Sequence, residues 1–217
     1  MRRTALPLAI AAALLTAACL QKDTTSTIYL RPDGSFTWVI LEQNVRSDER
    51  DDAARLAEEA RYVDGVSRGD SDMINSLLVL GAEDVHVRWL RSARPYAVMI
   101  DARFDNLAGV FDRLLAPCEV PYESAITETE EVTTWRLRID VGPEGSRLDQ
   151  GGGEDCGDGL NDLTDALDEL RIVLESGTFT AATGFIITGT DTAALDEKTI
   201  EEHVKSTGVV ELSLSWR

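Results

Sequence analysis

Two histidines, three cysteines and 39 carboxylates are the side chains through which this 217-residue chain could do chemistry. His86 falls out of phase with Val85 and Val87 in an alternating run, and His203 sits in a charged stretch. Neither has a second His or Cys at ligand spacing, so the sequence offers no zinc set. No Gly-x-Ser-x-Gly elbow points to a serine hydrolase. The glycine run at Gly151 lacks a following Lys-Ser/Thr and leads into acids, which repel phosphate. A pair of carboxylates for hydrolysis is available by chance in so acidic a chain, so abundance alone decides nothing. The most unusual stretch is Asp149-Gln-Gly-Gly-Gly-Glu-Asp-Cys-Gly-Asp-Gly-Leu-Asn-Asp162. Carboxylates on a glycine frame suit a calcium ion, yet Asp155 and Asp158 match no EF-hand spacing. The expected set of cofactors is therefore none, with a calcium-stabilised module as an alternative.

The N-terminus carries a clearer message. Met1-Arg2-Arg3 is followed by an apolar run from Ala5 to Leu15. As a helix this run rises about 16 Å, half the thickness of a hydrocarbon core, so it reads as a signal-peptide core and not as a span. Leu15-Thr16-Ala17-Ala18-Cys19 then resembles the lipobox of bacterial lipoprotein precursors. That resemblance implies cleavage between Ala18 and Cys19, diacylglycerol on the Cys19 sulfur and N-acylation in many bacteria. The branched aliphatic residue usual three places before the cysteine is Thr16 here, with Leu15 one place early. Leu20 rather than Asp follows the cysteine, which implies transport to the outer membrane in a two-membrane cell. The covalent lipid on Cys19 would make the membrane the first partner, through acyl chains.

With Cys19 assigned to lipid, Cys118 and Cys156 remain as an even pair in an oxidising compartment, and a disulfide between them is expected. Two free thiols or a redox couple are the alternatives, although no Cys-x-x-Cys motif is present. Loss of Arg2 and Arg3 takes the formal charge from −18 to −20. Such acidity argues against binding nucleic acid or an anionic bilayer, because both depend on basic patches that a chain this negative would have to build against its own field.

These residues must be positioned by elements read from periodicity. Thr25–Leu30 and Phe36–Leu41 flank Arg31-Pro-Asp-Gly-Ser35 as a hairpin. Ser47 reads as the cap of a helix whose inward face is Ala53, Leu56, Ala60 and Val63. Ser71 opens a shorter helix ended by Gly81, and strands follow at 85–90 and 96–104. Asp105 caps a helix bearing Leu107, Val110, Phe111, Leu114 and Leu115. Strands are expected at 122–127, 132–141, 171–175, 179–188 and 209–216, and helices near 160–170 and 196–205. The four tryptophans all fall in strands, with Trp135 and Trp216 in phase with apolar neighbours and so assigned to the core.

The class is α+β, a mostly antiparallel sheet carrying several amphipathic helices. Residues 1–18 read as the removed signal peptide, 19–26 as the lipidated N-terminus and tether, and 27–217 as a single domain with an acidic glycine-rich loop at 142–159. The function expected is that of a membrane-anchored envelope lipoprotein, facing the periplasm or the surface, acting as a non-catalytic binding or structural module with a possible protein partner in the envelope. An envelope hydrolase working through carboxylates is the alternative.

Overall fold

The β-branched and aromatic residues on either side of Arg31-Pro-Asp-Gly-Ser35 form a long antiparallel hairpin, β1 (Leu20–Leu30) with β2 (Phe36–Ser47), in the computed structural model. The structure describes residues 20–115, 120–143, 146–147, 170–189 and 192–217. At the turn, Gly34 takes φ +82° and the Asp33 carboxylate accepts from the Ser35 backbone N–H at 3.0 Å and from its hydroxyl at 2.7 Å. These bonds hold the Asp33 carboxyl below its ordinary pKa.

The remaining described elements follow in order: α1 (Asp52–Arg68), α2 (Asp72–Val79), β3 (Asp84–Arg91), β4 (Tyr96–Phe104), α3 (Leu107–Leu115), β5 (Tyr122–Glu128) and β6 (Thr133–Asp140). After them come β7 (Leu170–Leu174), β8 (Phe179–Thr183), β9 (Phe185–Ile187), β10 (Thr192–Leu195), α4 (Glu197–Thr207) and β11 (Val209–Trp216). Seven strands make one sheet in the order β3-β4-β2-β1-β7-β10-β9, and four make another in the order β5-β6-β11-β8. The β1–β7 pair is parallel and the other described pairs are antiparallel, so the fold is α+β as expected.

One face of each sheet supplies the core. Ile28 and Leu30, Phe36 and Ile40, Val98, Ile100 and Phe104 point inward from the large sheet. Trp135, Leu137 and Ile139 stand in register with Leu214, Leu212 and Val210 on the small one. These residues belong to one buried cluster, which also takes in Leu107, Val110 and Phe111 of α3 and Ile200 and Val204 of α4. The chain crosses between sheets at Gly184: β8 pairs with β11, whereas β9 pairs with β10. Gly184 has φ +75°, and a Cβ there would lie 2.6 Å from a Leu212 methyl, so the crossing requires glycine.

Several expectations are corrected. Gln21–Ser26 is not a tether but the first half of β1, paired with β2 from Leu20 opposite Ser47 onward. Ser47 ends β2, and α1 is capped by Asp51, whose carboxylate accepts from the backbone N–H groups of Ala53 and Ala54. The α3 cap is Asn106 rather than Asp105, since its side-chain oxygen accepts from Gly109 N at 2.7 Å. Leu170, expected to close a helix, opens β7, and the short strand β10 was not anticipated.

Candidate functional site

The fold places its buried charges at one end of the large sheet, under α1. Glu42 lies on the core face of β2 and is 1% exposed. One carboxylate oxygen pairs with the Lys22 ammonium from β1, and the other accepts from the Tyr62 hydroxyl of α1 at 2.5 Å. Burial first, and then the Glu42 carboxylate as acceptor and as charge, pushes the Tyr62 phenol well above its ordinary range. Tyr62 meets Trp89 edge-on with ring centroids 6.2 Å apart, and Trp89 meets Tyr96 at the same separation.

A second carboxylate, Glu59 of α1, is also 1% exposed. Its Oε1 accepts from the Ser47 backbone N–H at 3.1 Å and faces the Arg94 guanidinium at 3.0 Å. Its Oε2 is buried without a partner, and the neighbouring Glu58 accepts from the Ser47 hydroxyl. A cavity of about 360 Å³ opens beside this cluster, with Leu20, Lys22, Glu42, Arg61 and Tyr62 among its walls. Leu20 opens β1, so the cavity lies at the N-terminal end of the described fold.

Both buried carboxylates are therefore held by a cation and by neutral donors. An arrangement of this kind positions α1 on the sheet, whereas a general acid or base needs an oxygen that can reach a substrate. The raised Tyr62 pKa has a measurable consequence. Its contribution to stability is complete below the unfolded value of about 10 and is lost as pH rises toward the folded value. The stability advantage of the native protein over Tyr62→Phe, about 1 kcal/mol at neutral pH, should hence shrink as pH is raised above about 10. An advantage that stays constant across that range in urea titrations would remove the Tyr62–Glu42 hydrogen bond from the account.

Sequence-predicted residues are only in part brought to this site. Cys19, Ala18, Cys118 and Cys156 lie outside the described residues, as does most of the acidic loop at 142–159. His86 is exposed on β3 of the large sheet with Nε2 3.0 Å from Asp84, whereas His203 on α4 lies 4.0 Å from Glu211 of the small sheet, so the two are not brought together. Trp135 and Trp216 are buried at 1% and 0% exposure, while Trp38 and Trp89 pack against the core edge. The residues that do gather, Lys22, Glu42, Glu59, Tyr62 and Arg94, were not singled out by sequence reasoning. Spacing within α1 offered one signal: Glu59, Tyr62 and Val66 share a helical face. Among the described residues no group of three or more His, Cys, Asp or Glu side chains is placed to hold a metal ion. No described helix is long and apolar enough to cross a membrane.

No protein-family model matches this sequence, and neither does any curated protein. Among solved structures, the chain is similar to the NMR structure of the folded domain of the LppM protein of Mycobacterium tuberculosis, at 12% identity over 94% of each chain and a TM-score of 0.35.

Proposed function

We propose that this chain is an envelope lipoprotein, held to the membrane through acyl chains on Cys19, whose folded part is a non-catalytic binding or structural module. The observation that carries the reading is that Leu20, one residue past the lipobox-like cysteine, is already paired in β1. A lipid on Cys19 would leave almost no slack between bilayer and fold, and would set the end of the large sheet at the membrane surface. The non-catalytic part is supported by Glu42 and Glu59, the two buried carboxylates among the described residues, each already held by a cation.

The test is the intact mass of the protein extracted from its native membrane, before and after reduction. The expected mass corresponds to cleavage between Ala18 and Cys19 plus acyl chains, and it rises by about 2 Da on reduction if Cys118 and Cys156 are bridged. A mass without acyl groups would turn the reading into that of a freely exported protein. An acylated mass unchanged by reduction would leave the anchor and remove the disulfide.

A further inference from the structure

We infer that the β3–β4 hairpin tip and the adjoining outer corner of the large sheet form a contact surface for a bilayer bearing anionic headgroups. The inference rests on the lipid-anchored reading and adds an orientation to it. In a chain with 39 acids, no carboxylate occurs between Asp84 and Asp101, while that interval holds Arg88, Arg91 and Arg94. The interval folds into β3, its turn and most of β4. Charge is thus segregated along the sequence, and the fold carries the basic segment to one place.

That place is the anchor end. In register, Leu20 stands opposite Ser47, Val45 opposite Tyr96, and Ala97 opposite Arg91. Leu20 and Arg91 therefore lie three strand spacings apart across the sheet, roughly 15 Å. Arg91 is set about three residues further from the strand end, within reach of one membrane patch from an anchor at Cys19. Arg46, Arg88 and Arg91 are all exposed and make no described ion pair. Arg88 donates to the Met99 sulfur and Arg91 to the Pro95 carbonyl, which aims them without neutralising them. Leu90, between them, is 50% exposed and adds an apolar contact at the same corner.

Acids near this end are mostly engaged. Glu42 is held by Lys22, Glu58 by Ser47, Glu59 by Arg94, Asp52 by Arg55, and Asp23 accepts from Asn44. Asp51 caps α1. Asp48 and Glu49 remain beside Arg50, Asp70 and Asp72 line the neighbouring cavity, and Asp101 lies beside Arg88 on the outer face. The positive surplus is therefore confined to the hairpin of residues 85–100, where no carboxylate occurs. The rest of this acidic chain is repelled by anionic lipid, so the same field that attracts the corner turns the remainder of the domain away.

The experiment uses the processed protein, reconstituted in phosphatidylcholine vesicles or in vesicles with about 30% phosphatidylglycerol, and reads amide hydrogen exchange at residues 88–97. Exchange there is expected to slow in the phosphatidylglycerol vesicles alone. Combining Arg88→Glu with Arg91→Glu should reverse the effect, at roughly a fivefold loss in the contact equilibrium for each arginine. Arg136→Glu, the same charge change on the small sheet, should leave it intact. Unchanged exchange in phosphatidylglycerol vesicles, or slowing that survives the double reversal, overturns the inference. Protein found without acyl groups that still binds these vesicles through the hairpin would remove the anchor and leave the surface. Acylated protein with an unprotected hairpin would do the reverse.

Discussion

Trp216→Ala should lower stability by about 3–5 kcal/mol, a large share of the roughly 5–15 kcal/mol available to a folded domain. Trp216 is 0% exposed on β11, in register with Thr133 of β6 on one side and Phe179 of β8 on the other. Its indole N–H also donates to the Pro32 carbonyl at 3.4 Å, in the β1–β2 turn of the other sheet. The side chain thus joins the two sheets, and its removal opens a cavity that neighbours on both must collapse into. Trp216→Phe restores most of the volume but leaves the Pro32 carbonyl without this donor, so a loss of about 1–2 kcal/mol is expected. Urea unfolding followed by circular dichroism reads both, as a lower midpoint at unchanged slope. A loss below about 1 kcal/mol for the alanine variant would mean that β11 does not complete a shared core.

Strand pairs and the core were the most readable features, because alternation and turn chemistry are local. Pro-Asp-Gly between two β-rich runs set the β1–β2 hairpin, and the phase of Trp135 and Trp216 with their apolar neighbours placed both indoles inside. What escaped depends on partners distant in sequence. The polar stretch Gln21–Ser26 has no alternation, yet it is held as strand by backbone bonds to β2 and by Lys22 reaching Glu42. Thr192–Leu195 is four residues of modest strand propensity, and it becomes β10 because β7 and β9 offer it ladders on both sides. The division into two sheets rests on Gly184, whose positive φ turns one continuous β-like run into strands of different sheets.

The candidate site was hidden for a related reason. Hydrophobic spacing assigned Ala53, Leu56, Ala60 and Val63 to the buried face of α1, whereas Leu56 is 61% exposed and the buried positions are Glu59 and Val66. The helix is rotated so that Glu59 meets Ser47 N and Arg94, and Tyr62 meets Glu42 and Trp89. Two of the four expected inward residues are alanine, which loses little when left at the surface, and Val63 stays half-buried. A buried carboxylate without its donors is far more costly, and that cost sets the helix orientation. Sequence periodicity weighs only the first of these terms. Lys22, Glu42 and Arg94 lie on three different strands or turns, so no spacing rule connects them.

Arg94→Ala should cost more than Glu59→Gln, by about 2 kcal/mol, although each removes the same ion pair. The asymmetry follows from exposure: the Glu59 side chain is 2% exposed and the Arg94 side chain 42%. Removing the arginine strands a buried carboxylate that already has one oxygen without a partner. The Ser47 N–H then remains as its described donor, and a loss of about 3 kcal/mol is expected, discounted because the guanidinium itself is part-solvated. Removing the charge of Glu59 leaves an amide whose oxygen can still accept from Ser47 N, while Arg94 turns outward to water. That change should cost about 1 kcal/mol. Chemical unfolding of the two single variants and of the double variant measures the difference and the coupling between them. Equal losses would show that the pair contributes as a surface ion pair does, and the rotation of α1 would then need to come from the Tyr62, Trp89 and Glu42 contacts alone.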